Sequence, residues 1–234
     1  MFFKTKDNAH EESHWLTVSD LMAGLMMVFL FIAIALMRSA LLDKEKIVEI
    51  AVTYQENQVA IYKELLNEFE KDLDVWDAEI DEQSLTFTFR SPDILFDIGK
   101  IELKENYKAL LDDFFPRYMG VLENYKHSIS EVRIEGHTSS DWNSLPRDEA
   151  YFMNMTLSQG RTRSVLSYIY QIPSVIKSKD WIRSTFSAVG FSSSRLIFKD
   201  GVGGEEEDMV RSRRVTFRVI TDADIQLRKI LEVD

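Results

Sequence analysis

Asp20 stands at the start of an apolar run, the setting in this 234-residue chain that most directly suggests chemistry. Leu21 to Met37 are seventeen residues without a charge or a strongly hydrogen-bonding side chain. At 1.5 Å per residue a helix of that length covers roughly 26 Å, close to a bilayer core once its flanks are counted. An ionised aspartate inside such a span costs about 2.5 to 3.5 kcal/mol, so it needs a compensating location or role. Low-dielectric surroundings favour the neutral carboxyl, which can then load and release a proton. Helical spacing puts Ala23, Gly24, Met27 and Phe31 on the same side as Asp20. Two small residues one turn on let a partner helix approach closely. Position alone also permits a plainer role, in which Asp20 caps the helix start at the headgroup boundary.

Other chemistries are disfavoured. The chain has no cysteine, and its four histidines, His10, His14, His127 and His137, lack the close paired spacing of a zinc motif. With 28 basic against 39 acidic residues and a net charge of -11, it lacks the basic surplus of a phosphate-tracking nucleic-acid binder. No nucleophile, base and orienting group stand together at a recognisable spacing, so no enzyme and no cofactor are expected.

The elements around Asp20 follow from hydropathy. Residues 1–14 form a short N-terminus of mixed charge, and residues 15–38 a single transmembrane helix, with Trp15 at one interface and Arg38 snorkelling at the other. The run ends in Arg38, Ser39, Ala40 and Leu41 and lacks a basic start, so it reads as a span rather than a cleaved signal. Basic residues flank it on both sides and do not orient it. From Asp43 to Asp81 there is neither proline nor glycine, and apolar residues recur at Ile47, Ile50, Ala51, Tyr54, Ile61, Leu65, Phe69, Leu73 and Trp76. This helical linker, 39–83, carries a stripe that needs a partner. Self-pairing of two copies, with Gln58 on the stripe, is the favoured expectation; folding back on the outer domain is the other.

From residue 84 the texture changes. Leu85 to Phe89 alternates as a strand, Leu103 to Leu122 is spaced as a helix, Val132 to Glu135 is a strand, and Leu157 to Ile172 a helix. Phe186 to Phe191 and Val215 to Ile220 are strands, so an α+β sandwich is expected over 84–221, with 222–234 as a tail. The acidic stretch Gly201 to Asp208 lacks the residues of a phosphate loop or an EF-hand and reads as a solvated loop.

Two resemblances sharpen this. Trp15-Leu-Thr-Val-Ser-Asp20-Leu-Met, followed by a Met-rich apolar helix, resembles the MotB family of stator proteins, which implies that Asp20 carries protons. Arg38 to Val52 then resembles the position of a plug against ion leak. Ile134-Glu-Gly-His-Thr138, Met153-Asn-Met-Thr-Leu-Ser-Gln-Gly-Arg161, Ala188-Val-Gly-Phe191 and Arg211-Ser-Arg-Arg-Val215 occur in the order of the OmpA-like peptidoglycan-binding domain. That resemblance implies a pocket for the zwitterionic end of diaminopimelate. Arg161 would fork onto the carboxylate, Asn154 and Leu157 would shape the pocket, and His137 and Thr138 would border it. His137 also suits a structural hydrogen-bonding role at its strand end. Ser139 stands where the family has an aspartate, and Asp141 is the candidate to meet the ammonium. Arg211, Arg213 and Arg214 are expected mainly to brace the last strand.

Ser19-Asp20-Leu-Met and His137-Thr-Ser-Ser140 bring the chain nearer to the ZorB family of the Zorya anti-phage system than to flagellar stators. The resemblance implies a homodimer inside a ring of multi-span MotA- or ZorA-like partners. It also implies an inner-membrane location, with the N-terminus cytoplasmic and the C-terminal domain periplasmic. A flagellar stator subunit, or a wall anchor without ion transport, remains the alternative.

Overall fold

The computed structural model describes residues 7–90, 95–199, 201, 204–222 and 225. The chain divides into two units, Met1–Ile50 and Ala51–Asp234. The first is the N-terminal part of helix α1 (Asp7–Leu73), within which Val18–Glu49 is long and apolar enough to cross a membrane. Leu21, Met26, Met27 and Phe31 all stand more than 60% exposed, on every side of the helix, as befits a segment facing lipid or other helices. The first residues of the expected N-terminus, residues 223–224 and 226–234 of the expected tail, and the side chains of Ile50 and Tyr54 on the stripe lie outside the described residues.

The second unit is built on a five-stranded sheet. Its strands are β1 (Ala78–Asp81), β2 (Thr86–Phe89), β3 (Ile129–His137), β4 (Phe186–Gly190) and β5 (Arg214–Thr221), in the spatial order β1-β2-β5-β3-β4. Only β3 and β4 are parallel, and such a pair requires a crossover connection. Helix α3 (Arg147–Ile169), a 3-10 turn (Pro173–Ser178) and the short α4 (Lys179–Thr185) supply it. Helix α2 (Glu105–Glu123) joins β2 to β3.

Strand alternation decides which face is covered. Phe87 and Phe89 of β2, Val215, Phe217 and Val219 of β5, and Val132 and Ile134 of β3 share one face and are buried. Phe114 of α2 sits at the centre of this face, with ring centroids 4.7 Å from Phe87, 5.1 Å from Phe89 and 5.2 Å from Phe217. Rings at these spacings and tilted angles add specific attraction to the area they bury.

The helical stripe finds its partner within the chain. Ile61, Leu65 and Phe69 are fully buried in this core, and the Phe69 ring lies 5.3 Å from Phe114. Arg117 of α2 clamps the contact. Its guanidinium bonds Glu68 at 2.7 Å and Asp72 at 2.8 Å and lies 4.7 Å over the Phe69 ring. Gln58, expected at a seam between copies, instead donates to the Glu82 carbonyl at 2.7 Å. Self-pairing is therefore corrected for Ile61 to Phe69, because the aromatic wall of the sheet offers these side chains a larger apolar partner. The domain accordingly reaches back past residue 84, and β1, unforeseen in the sequence, pairs with β2.

Helix α3 begins at Arg147, ten residues before the expected start. Pro146 explains this: its fixed φ suits a helix entrance, and Asp148 and Glu149 complement the positive helix end.

Candidate functional site

A glycine pair sets the position of α3 over the sheet. Gly136 of β3 and Gly190 of β4 are opposite each other in register. A Cβ added to Gly136 would lie 2.8 Å from the Ser158 carbonyl oxygen, and one added to Gly190 would lie 2.5 Å from the Gln159 amide nitrogen. Only glycine permits this approach, which brings Asn154, Leu157 and Arg161 of α3 down beside the end of β3.

There, Thr138, Asp141, Asn154, Leu157 and Arg161 line a single cavity of about 180 Å³, with Phe96, Trp142 and Arg213 among its other walls. This is smaller than the ~300–1,000 Å³ of sites for whole drug-sized ligands, and suits the end of one amino acid. Arg161 is 8% exposed. Its Nε donates to the Lys100 carbonyl at 2.9 Å, an Nη2 donates to the Asp97 carbonyl at 3.1 Å, and its Cζ lies 4.7 Å over the Phe96 ring. The arginine thus fastens the 97–100 loop while presenting its charge to the cavity.

Asn154, 2% exposed, spends its amide on the opposite wall, donating to the carbonyls of Ser139 at 3.1 Å and Asp141 at 3.2 Å. That bond bends residues 139–141 back toward α3 and brings Asp141 to the rim. Asn143 and Ser144, both at positive φ, complete the bend. Thr138 is 3% exposed and its Oγ1 has no hydrogen-bond partner among the described residues. A buried unpaired hydroxyl on a cavity wall is costly and suits a ligand that would bond it. With Arg161 and Arg213 against Asp141, the cavity offers two cations and one anion, a distribution suited to a small zwitterion.

His137 does not line this cavity. It lies behind Thr138, 4% exposed, stacked on Phe191 at 5.3 Å, with Nε2 3.4 Å from Glu135 Oε2. Burial pushes the imidazole below its ordinary value of about 6.5; Glu135 opposes this, and Arg214 and Arg195 add to it. The folded chain therefore binds fewer protons here than the unfolded one. His137 imposes no penalty above pH 6.5, and stability is lost as the pH falls through that value. Thermal melts between pH 7.5 and 5.5 are expected to show a loss of up to ~1.4 kcal/mol per pH unit, and a shallower slope in His137→Gln.

The acidic stretch is more structured than its composition suggests. Glu207 accepts from the Ser140 amide at 3.1 Å and from the Ser140 hydroxyl, while Glu206 pairs with Lys199. Asp208 caps α5 (Met209–Ser212), accepting from the amides of Val210 and Arg211. The solvated-loop reading is corrected for Glu207 and Asp208, which hold backbone amides, and stands for Glu206, whose ion pair is exposed; Val202 and Gly203 lie outside the described residues. Of the three arginines, Arg214 does brace its strand, donating to the carbonyls of Ser212 and Arg195, but Arg213 reaches the cavity. Trp142 and Glu207 were not foreseen here, whereas a place at the site was the lesser expectation for Arg213, which stands in one of the four motifs.

Asp20 belongs to the other unit. It is exposed on α1, and a Cβ added to Gly24, one turn on, would meet nothing within 4 Å. The helix surface beside the acid is open to a neighbour.

A family model described as the OmpA family matches residues 95–209, the stretch that contains the cavity's lining residues apart from Arg213. Over 228 residues the chain is 55% identical to the Zorya protein ZorB of Escherichia coli, covering 97% of this chain and 95% of that one. The chain belongs to the ZorB family. Among solved structures, this ZorB-family chain is similar to a putative MotB-like protein from Desulfovibrio vulgaris. That similarity is 22% identity and a TM-score of 0.48, over 70% of this chain and 91% of that one. It is also similar to the cell wall anchor of the T6SS from Pseudomonas aeruginosa, at 21% identity and a TM-score of 0.46, over 68% and 97%.

Proposed function

We propose that this ZorB-family chain is the MotB-like stator subunit of a proton-driven motor in Zorya anti-phage defence. Asp20 carries the protons, and the cavity around Arg161 grips the diaminopimelate end of a peptidoglycan stem. The chain crosses the inner membrane once, with its N-terminus cytoplasmic and its C-terminal domain periplasmic. It acts as a homodimer within a ring of multi-span ZorA-like partners, with no cofactor beyond the translocated ion.

One observation carries the reading: the 55% identity to ZorB runs through both the acid-bearing helix and the outer domain. A wall anchor alone needs only the domain. An ion carrier needs both, because protonation of a membrane carboxyl does work only against something held still. One transmembrane helix cannot enclose an ion path, so partner helices must complete it.

Tagged full-length chain, extracted in mild detergent from cells that also carry its neighbouring genes, is expected to bring down a multi-span membrane protein in excess over itself. Recovery of the chain with no such partner contradicts the stator reading.

A further inference from the structure

Residues 138–141 form a ridge between two cavities. Thr138, Ser139 and Asp141 face the one described above, and Ser140 faces a second, of about 440 Å³. Ser140 lines one cavity and its neighbours Ser139 and Asp141 line the other, so a single thickness of backbone separates the two there. The ridge is held from both sides, by the Asn154 amide and by the Glu207 carboxylate. Its shape is thus fixed before any ligand arrives.

The second cavity presents two guanidiniums, Arg147 and Arg195, against one carboxylate, Asp148. Arg195 is prepositioned: its Cζ lies 3.7 Å over the Phe191 ring and its Nη1 3.3 Å from the buried Glu135 carboxylate. Arg147 is exposed, opens α3, and joins no ion pair among the described residues. Tyr151 and Phe198 give the cavity apolar walls. Such a lining fits a carboxylate attached to a peptide body, with Asp148 placed to accept from an amide N–H.

We infer that this second cavity receives the next carboxylate along a peptidoglycan stem peptide, so that one muropeptide straddles the ridge. Its diamino-acid end lies at Arg161, and the neighbouring acidic residue lies at Arg147 and Arg195. One extended residue reaches about 3.5 Å, so a dipeptide is long enough to cross a single backbone. The inference rests on the wall-binding reading of the first cavity and extends it from one amino acid to two.

Titration calorimetry on the full chain in detergent, with diaminopimelate and with γ-glutamyl-diaminopimelate, tests it. The dipeptide is expected to bind more tightly than the amino acid. Arg147→Gln is expected to weaken the dipeptide about fivefold, as for one partly exposed charged contact, and to leave diaminopimelate unchanged. Equal affinity for the two ligands in the unaltered chain overturns the inference, as does an Arg147→Gln chain that holds the dipeptide undiminished or loses both ligands alike. Binding of neither ligand removes the wall-binding reading itself, an outcome distinct from the others.

Discussion

Cells carrying Asp20→Asn are expected to lose phage protection to the level of cells lacking the chain, while the membrane complex still assembles. Asparagine nearly matches aspartate in shape and retains hydrogen-bonding capacity, so packing beside Ala23 and Gly24 is preserved. It cannot take up or release a proton near neutral pH. A wall anchor without ion transport would keep its activity, and a helix cap would too, since asparagine caps about as well as aspartate. Phage plaque counts, paired with pull-down of the partner, distinguish these cases: lost protection with intact assembly is the expected combination.

Arg161→Ala is expected to lower binding to purified peptidoglycan sacculi at least tenfold, about 1.4 kcal/mol, the lower range for a hydrogen-bonded charge. It also strips two donors from the carbonyls of Lys100 and Asp97 and a cation from the face of Phe96. A loss of roughly 2 kcal/mol in stability is expected to accompany it. Arg161→Lys tells the two effects apart. It restores the positive charge but not the planar fork, so melting is expected to recover partly while sacculus binding stays low. Sacculus binding restored by lysine would mean that charge alone acts there.

Several features of this molecule were legible before its fold was seen. Period-two alternation at Leu85 to Phe89 and helical spacing from Leu103 to Leu122 each identified their element, because one face of each is buried against the same core. Strand β1 was not legible: Ala78 to Asp81 alternates, but it runs on from the helical stripe with no proline or glycine between Asp43 and Asp81 to mark a boundary. The stripe on α1 announced that it needed a partner, but periodicity says nothing of which partner. The choice fell to the aromatic face made by Phe87, Phe114 and Phe217, residues distant in sequence. The start of α3 was hidden because Asp141 to Glu149 is polar, and only Pro146 and the two acids after it mark the entrance.

At the site, motif order gathered Thr138, Asn154, Leu157 and Arg161 around one cavity, and Asp141, named as the acid in place of Ser139, joins them. His137 stands one residue from Thr138, yet strand alternation turns it to the other face of the sheet, toward Glu135. The role of Glu207 could not be read from an acidic run, since its partner, Ser140, lies 67 residues away. Composition reports charge, whereas only the fold reports what each charge meets.

The most direct measurement is proton flux through vesicles that hold the chain with its multi-span partner, loaded with a pH-sensitive dye and driven by a potassium diffusion potential. The unaltered complex is expected to acidify the lumen in an uncoupler-sensitive manner, and the Asp20→Asn complex, present in equal amount, to stay at the level of empty vesicles. Equal flux through the two complexes would show that protons do not pass by way of Asp20.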